Sequence, residues 1–143
     1  MVNHFFSIEH DVNYATPSSI IFNLIEETSI NIYGKTYYNC NKYDGFEDWL
    51  DKQDKFDLVL IDGPYGFNMA YTFSRVQVLS FVLLNKLQDR CVILYHDSQR
   101  TNAKTTLDEF EVLLKDNGFK FSKEVLNENL ERELTIYNIT KIK

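Results

Sequence analysis

Two apolar runs of the sequence end abruptly in side chains that can bind ligands or move protons. The run 56–61 is followed by Asp62, and the run 90–95 is followed by His96 and Asp97. Short apolar runs of this kind are typical of buried parallel strands, whose carboxyl ends form the edge at which open α/β sheets bind ligands. We therefore expect the three side chains to lie close together at one sheet edge.

The residue types at these strand ends support several kinds of chemistry. A carboxylate at Asp62 could orient a ligand or deprotonate a hydroxyl group, and His96 could equally be the general base. Two carboxylates and an imidazole can also bind a divalent cation, which would lower the pKa of a bound hydroxyl. A structural alternative remains for Asp62, because aspartate readily bonds backbone amides in a turn such as the following Gly-Pro pair.

The composition indicates one globular domain covering residues 1–143. The chain is 44% hydrophobic and carries a formal net charge of -6, which disfavours nucleic acid or an anionic membrane as its main partner. It has neither a signal segment nor an apolar stretch of membrane-spanning length, so we predict a cytoplasmic protein. Cys40 and Cys91 lack metal-ligand spacing and are expected to be buried reduced thiols.

Strand-like and helix-like segments alternate along the chain, which favours an α/β fold with a mostly parallel sheet. A helix is predicted to begin at Thr16 and Pro17, because threonine caps helices and proline suits the first turn. This helix is expected to end near residue 27. The other segments expected in the first half are a strand over 4–9, a strand over 30–39 and a short helix over 44–52.

The second half of the chain continues this alternation and ends differently. A helix is predicted over 73–87, and a second helix passes through Leu107, Phe110 and Leu114 and is ended by Gly118. The last two strand-like segments, 120–126 and 134–140, are joined by only a short polar connection. They are expected to form an antiparallel hairpin, because a parallel crossover needs a dozen or more residues.

From residue 5 to the carboxyl terminus, this order resembles class I S-adenosylmethionine-dependent methyltransferases read from their second strand onward. The resemblance is carried by the segments SIEHD (7–11), FDLVLIDGP (56–64) and ILYHD (93–97). Within that superfamily, DGPYG (62–66) with Ser74 and Arg75, and His96-Asp97 with Arg100, resemble sugar- and polysaccharide-modifying methyltransferase-like proteins. The resemblance to class I methyltransferases implies a three-layer Rossmann-like α/β fold whose sheet is mostly parallel and ends in a carboxyl-terminal antiparallel hairpin.

The resemblance also implies roles for acidic residues in binding S-adenosylmethionine. Glu9 would accept hydrogen bonds from two ribose hydroxyls, and Asp44 would reach the adenine amino group. Asp62 would orient the cofactor or act on the substrate, while the similar catechol-type methyltransferases hold a metal at the positions of Asp62, His96 and Asp97. Glu9 and Asp44 have the simpler alternative of being solvated acids.

Two arginines are candidates for binding the substrate. Arg75 and Arg100 follow the two strand ends and could hold a carboxylate or phosphate group of an acidic sugar. Their alternative is a salt bridge to a neighbouring acid, for which the candidates are Asp62, Asp97 and Glu109.

The family's first strand and its glycine-rich cofactor loop have no counterpart in this sequence. The strands ending at Glu9 and Asp62 would normally flank that strand, and its absence would leave two unpaired edges. Three arrangements would fill this gap. The two flanking strands could pair directly, or a strand could be donated by another copy or a partner, giving a homodimer or a complex. Alternatively, the sequence could be part of a longer protein.

Three functions are consistent with these features. The first is a methyltransferase acting on a hydroxyl or carboxyl group of a small molecule or saccharide. The second is a non-catalytic binding or assembly protein that retains the fold. The third is a metal-dependent hydrolase that uses Asp62, His96 and Asp97.

Overall fold

The computed structural model describes residues 6–9, 13–17, 19–32, 34–63, 75–79 and 81–142. The described strands and helices are β1 (Ser7–Glu9), β2 (Ser19–Ile21), β3 (Leu24–Ile32), β4 (Lys35–Tyr43), α1 (Phe46–Asp51), β5 (Phe56–Ile61), α2 (Phe81–Asn85), β6 (Leu87–His96), α3 (Thr101–Asp116), β7 (Phe119–Leu126) and β8 (Leu134–Lys141), with a 3₁₀ turn at Val76–Leu79.

The described strands form three sheets of mixed topology, and in this part of the chain strand residues outnumber helical residues. β1 pairs with β2 in parallel, β3 pairs with β4 antiparallel, and the third sheet has the order β5-β6-β8-β7. In that sheet only β5 and β6 are parallel. The predicted fold class, a three-layer Rossmann-like α/β sheet with mostly parallel strands, is therefore wrong.

A turn, the short strand β2 and the start of β3 replace the helix predicted from Thr16 to about residue 27. The carbonyl of Thr16 accepts the Ser19 N–H, and the Thr16 N–H donates to the Ser19 hydroxyl, so these residues close a turn. β3 then pairs with β4 along its length, and Asn31 Oδ1 accepts the N–H of Gly34, which has φ 80°. The isoleucine-rich sequence of β3 suits a strand better than a helix.

Most predictions for the second half are confirmed. β5 and β6 are parallel, β5 ends directly before Asp62 and β6 ends at His96, and β7 and β8 form the expected antiparallel hairpin. Helix α3 ends shortly before Gly118, which has φ 81°. In its described part, the helix predicted over 73–87 is instead the 3₁₀ turn followed by the short helix α2.

Helix α3 covers one face of the four-stranded sheet and forms the centre of the core. Phe110 and Leu114 of α3 are fully buried, as are Ile93 of β6 and Tyr137 of β8. The rings of Phe110 and Tyr137 meet edge to face, with their centroids 6.0 Å apart. Burial of these large apolar side chains is the main force that joins the helix to the sheet.

The opposite face of this sheet is exposed at its edge strand. Leu58 and Leu60 of β5 are 58% and 63% exposed, although both point to the same face as the partly buried Val92 and Leu94 of β6. Among the described residues, β5 is therefore covered on one side only, which is a second departure from the predicted three layers.

A group of aromatic rings packs the amino-terminal strands against α1 and β5. Trp49 of α1 stacks on Phe46, with the ring centroids 5.9 Å apart, and meets Phe6 edge to face at 5.1 Å. Phe6 also contacts Phe56 of β5, and Phe22 contacts Phe46. These contacts hold β1 near β5, although β1 pairs with β2 and not directly with β5 within the described ranges.

The two cysteines are buried free thiols, as predicted. Burial is the main cause that raises the pKa of Cys40 and of Cys91 to about 11, with added repulsion from Glu27 and Asp57 respectively. Both thiols therefore stay protonated and unreactive at neutral pH. Separately, none of the described helices is both long and apolar enough to cross a membrane.

Replacing Phe110 by alanine should lower the free energy of unfolding by about 3–5 kcal/mol, because it leaves a cavity between α3 and the sheet. Val112→Ala on the exposed side of the same helix is the matched control and should change it by less than about 0.5 kcal/mol. Urea unfolding followed by circular dichroism measures both. Equal effects of the two substitutions would contradict this account of the core.

Candidate functional site

The parallel register of β5 and β6 brings Asp62 next to His96. Ile61 lies opposite Tyr95, so the following residues of both strands leave the sheet at the same edge. The Nδ1 atom of His96 lies 2.8 Å from Oδ1 of Asp62. A neutral imidazole can bond a carboxylate only through an N–H, so this contact selects the Nδ1–H tautomer and leaves Nε2 with a free lone pair.

Asp97 completes a cluster of three potential ligand groups. Its Oδ1 lies 3.7 Å from His96 Nδ1, and one ligand atom from each of Asp62, His96 and Asp97 lies within 4.8 Å of the others. The side chains of Asp62 and His96 are 61% and 33% exposed, so a ligand can reach them. The prediction that these three side chains lie close together is confirmed.

The two arginines take different places around this cluster. Arg75 is only 5% exposed, donates from Nη1 to the His96 carbonyl at 2.5 Å and lies 5.0 Å from the centre of the Tyr95 ring. Arg75 therefore holds the end of β6 through its backbone and presents little surface to a substrate. Arg100 pairs with Asp97 Oδ2 at 3.0 Å, which is one of the salt bridges anticipated from the sequence.

Tyr43, the last residue of β4, also reaches the site, although it was not among the site residues predicted from the sequence. The Gln77 side chain holds its backbone with two bonds, accepting the Tyr43 N–H at 2.9 Å and donating to the Tyr43 carbonyl at 2.8 Å. The phenol reaches the turn after β5, because a Cβ atom added to Gly63 would lie 2.9 Å from the Tyr43 hydroxyl oxygen. The available signal was its position at a strand end, directly before Asp44.

The Tyr43 phenol interacts electrostatically both with Glu9 and with Asp62 of the three-residue cluster. Burial is the largest cause that raises the pKa of Tyr43 to about 12, and the charges of Glu9 and Asp62 add to it while that of Arg75 opposes it. The phenol thus stays neutral and acts as a hydrogen-bonding group, not as a base. Glu9 and Asp62 both lie within electrostatic reach of it.

The remaining predicted cofactor residue, Asp44, does not belong to this group of three potential ligands. Asp44 is exposed in the turn after β4, where its N–H donates to the Asn23 carbonyl at 2.7 Å. The motif residues that lie outside the described residues are His10, Asp11, Pro64, Tyr65, Gly66 and Ser74.

A buried carboxylate lies beneath the turn that carries Asp97. Glu133, between β7 and β8, is 3% exposed and accepts hydrogen bonds from the Ser98 hydroxyl at 2.7 Å and the Asn129 N–H at 2.6 Å. Burial alone would raise the pKa of Glu133, but the bonds from Asn129 and Ser98 and the charge of Lys104 outweigh it and lower the pKa. Sequence reasoning had no signal for this residue.

A scan of protein-family models found no match for the sequence, and a search of curated proteins found none either.

Gly63→Ala should lower the free energy of unfolding by about 1–3 kcal/mol, because the new methyl group would overlap the Tyr43 hydroxyl oxygen. Tyr43→Phe removes that oxygen, so Gly63→Ala made in the Tyr43→Phe background should cost clearly less. Thermal unfolding of the two single variants and the double variant measures this coupling. Strictly additive effects would show that the two residues do not touch.

Glu133→Gln should destabilise the protein by about 1–3 kcal/mol at neutral pH, because one buried acceptor oxygen becomes an amide. The pKa of Glu133 is lower in the folded chain than its ordinary value of 4.5, so ionised Glu133 contributes stability above that value. This contribution is lost as the pH falls through the lowered folded pKa. The stability difference between wild type and variant, measured by urea unfolding at decreasing pH, should therefore shrink below about pH 4.5. A difference that stays constant would refute this assignment.

Proposed function

We propose that this chain is a methyltransferase-like enzyme that transfers a methyl group from S-adenosylmethionine to a hydroxyl group of a small molecule or saccharide. The observation that supports an acid–base role most directly is the 2.8 Å hydrogen bond between His96 and Asp62. The choice of reaction comes from the sequence resemblance at the ends of β1, β5 and β6.

His96 is the base in this proposal. Because its Nδ1–H donates to Asp62, Nε2 is the atom that accepts the proton of the substrate hydroxyl. The imidazolium that results is stabilised by Asp62 and by Asp97, whose Oδ1 lies 3.7 Å from Nδ1. When bound, S-adenosylmethionine would supply the electrophilic methyl group, whose bond to the sulfonium sulfur breaks so that the neutral thioether leaves.

The residues around Tyr43 fit the hydroxyl-bearing part of such a cofactor. Glu9 can accept hydrogen bonds from ribose hydroxyls, and it lies within electrostatic reach of the same phenol as Asp62. The glycines of the sequence form no cluster that would cradle the amino-acid part. We therefore expect weak binding of the cofactor, in the range where millimolar concentrations are needed.

Metal-dependent hydrolysis is the second candidate function. It is supported by the approach of ligand atoms from Asp62, His96 and Asp97 to within 4.8 Å of one another. Two carboxylates and an imidazole are suitable ligands for a divalent cation, which would activate a water molecule.

Calorimetric titration of S-adenosylmethionine into the purified chain tests the first proposal. Binding should be detected at millimolar ligand, and Glu9→Gln should weaken it by about tenfold or more, because a carboxylate that accepts ribose hydroxyls is lost. Glu26→Gln, an exposed acid of β3, makes the same change of charge and should leave the affinity unaltered. His96→Gln should retain binding but abolish transfer of a labelled methyl group to a panel of alcohols and sugars.

Absence of binding by the wild-type chain would refute the methyltransferase proposal. Hydrolytic activity that needs Mn²⁺ but not S-adenosylmethionine, and that Asp62→Asn abolishes, would favour the second candidate instead.

A further inference from the structure

Glu133 forms three hydrogen bonds with Ser98 and Gln99, the two residues that follow Asp97. Its carboxylate accepts the Ser98 hydroxyl at 2.7 Å, and its backbone carbonyl accepts the Ser98 N–H at 3.1 Å. Its own N–H donates to Oε1 of Gln99 at 3.1 Å. One buried residue of the β7–β8 connection therefore fixes the start of the β6–α3 connection.

Asp97, the residue before Ser98, has a backbone conformation that must be stabilised by its surroundings. Asp97 has φ 59°, a left-handed conformation that L side chains adopt at a cost. The direction of its side chain follows from this backbone conformation, and it points the carboxylate to within 3.7 Å of His96 Nδ1 and 3.0 Å of Arg100 Nη2. A turn free to relax to negative φ would carry the carboxylate elsewhere.

Further hydrogen bonds hold Glu133 and Ser98 in place. Its second carboxylate oxygen accepts the Asn129 N–H at 2.6 Å, and the Asn129 side chain accepts Lys104 Nζ of α3 at 3.0 Å. The Thr135 hydroxyl of β8 donates to the Ser98 hydroxyl at 2.8 Å. The buried part of this network, Ser98, Glu133 and Thr135, resists displacement, because moving one member breaks several bonds at once.

We propose that Glu133 is a positioning residue of the candidate site, which holds the Asp97 turn so that the Asp97 carboxylate stays beside the His96 imidazole. This inference rests on the proposed function only in taking His96 as the base. The arrangement it asserts can be measured without cofactor or substrate.

A second glutamate provides the matched control. Glu111 of α3 also accepts two hydrogen bonds, from the Tyr137 hydroxyl at 3.0 Å and from Lys123 Nζ at 2.7 Å. These partners lie on β8 and β7, and none of them belongs to the connection that carries Asp97. Removing either glutamate costs an acceptor of two hydrogen bonds, but only Glu133 is bonded to the Asp97 turn.

Nitrogen-15 NMR of the histidine ring measures the ratio of the Nδ1–H to the Nε2–H tautomer of His96, with His96→Gln used to assign the signal. In Glu133→Ala, measured above the pH at which imidazole is protonated, this ratio should fall by about threefold or more. Asp97→Asn should cause a similar fall, and adding Glu133→Ala to it should cause no further change. Glu111→Ala should leave the ratio at the wild-type value.

An unchanged ratio in Glu133→Ala, together with a lower melting temperature, would show that Glu133 only stabilises the fold and would overturn the inference. If that variant does not fold, Ser98→Ala removes the hydroxyl link and keeps the backbone bond, and an unchanged ratio there is equally decisive. Failure to bind S-adenosylmethionine would overturn the proposed function alone, because the tautomer ratio is measured without it.

Discussion

The parallel pairing of β5 with β6 is the constraint on which the candidate site depends. Side chains alternate between the two faces of a strand, so a shift of one residue would turn Asp62 away from His96. The register is held from one side by the buried residues Ile93 and Tyr95, and at its end by the bond from Arg75 to the His96 carbonyl. The positions of Asp62 and His96 are therefore set by the packed strands of the sheet.

Features encoded in contiguous residues could be predicted from the sequence. The apolar runs that end at Asp62 and His96, the terminal hairpin and the glycine after α3 each carry a local signal. The fold class could not be predicted in this way. Thr16 and Pro17 have the types found at a helix start, but the following segments pair with β1 and then with β4. Such pairing between distant segments is decided by the whole sheet and by packing.

The candidate site was predictable only where its members stand at strand ends. Tyr43 and Gln77 are 34 residues apart, and Ser98 and Glu133 are 35 residues apart, so no spacing rule connects either pair. Arg75 has the residue type of a substrate ligand, yet its burial uses the guanidinium group to hold the backbone. Whether a charged residue serves a ligand or the fold depends on its depth, which the sequence does not reveal.

The left-handed backbone of Asp97 restricts which residues can stand at this position. Glycine would adopt φ 59° without strain, but it would lose more backbone entropy on folding and would remove the carboxylate that contacts His96 and Arg100. Aspartate tolerates this conformation better than most residues and also supplies a carboxylate beside His96. Sequences that carry glycine in its place would be expected to keep the fold and lose the site.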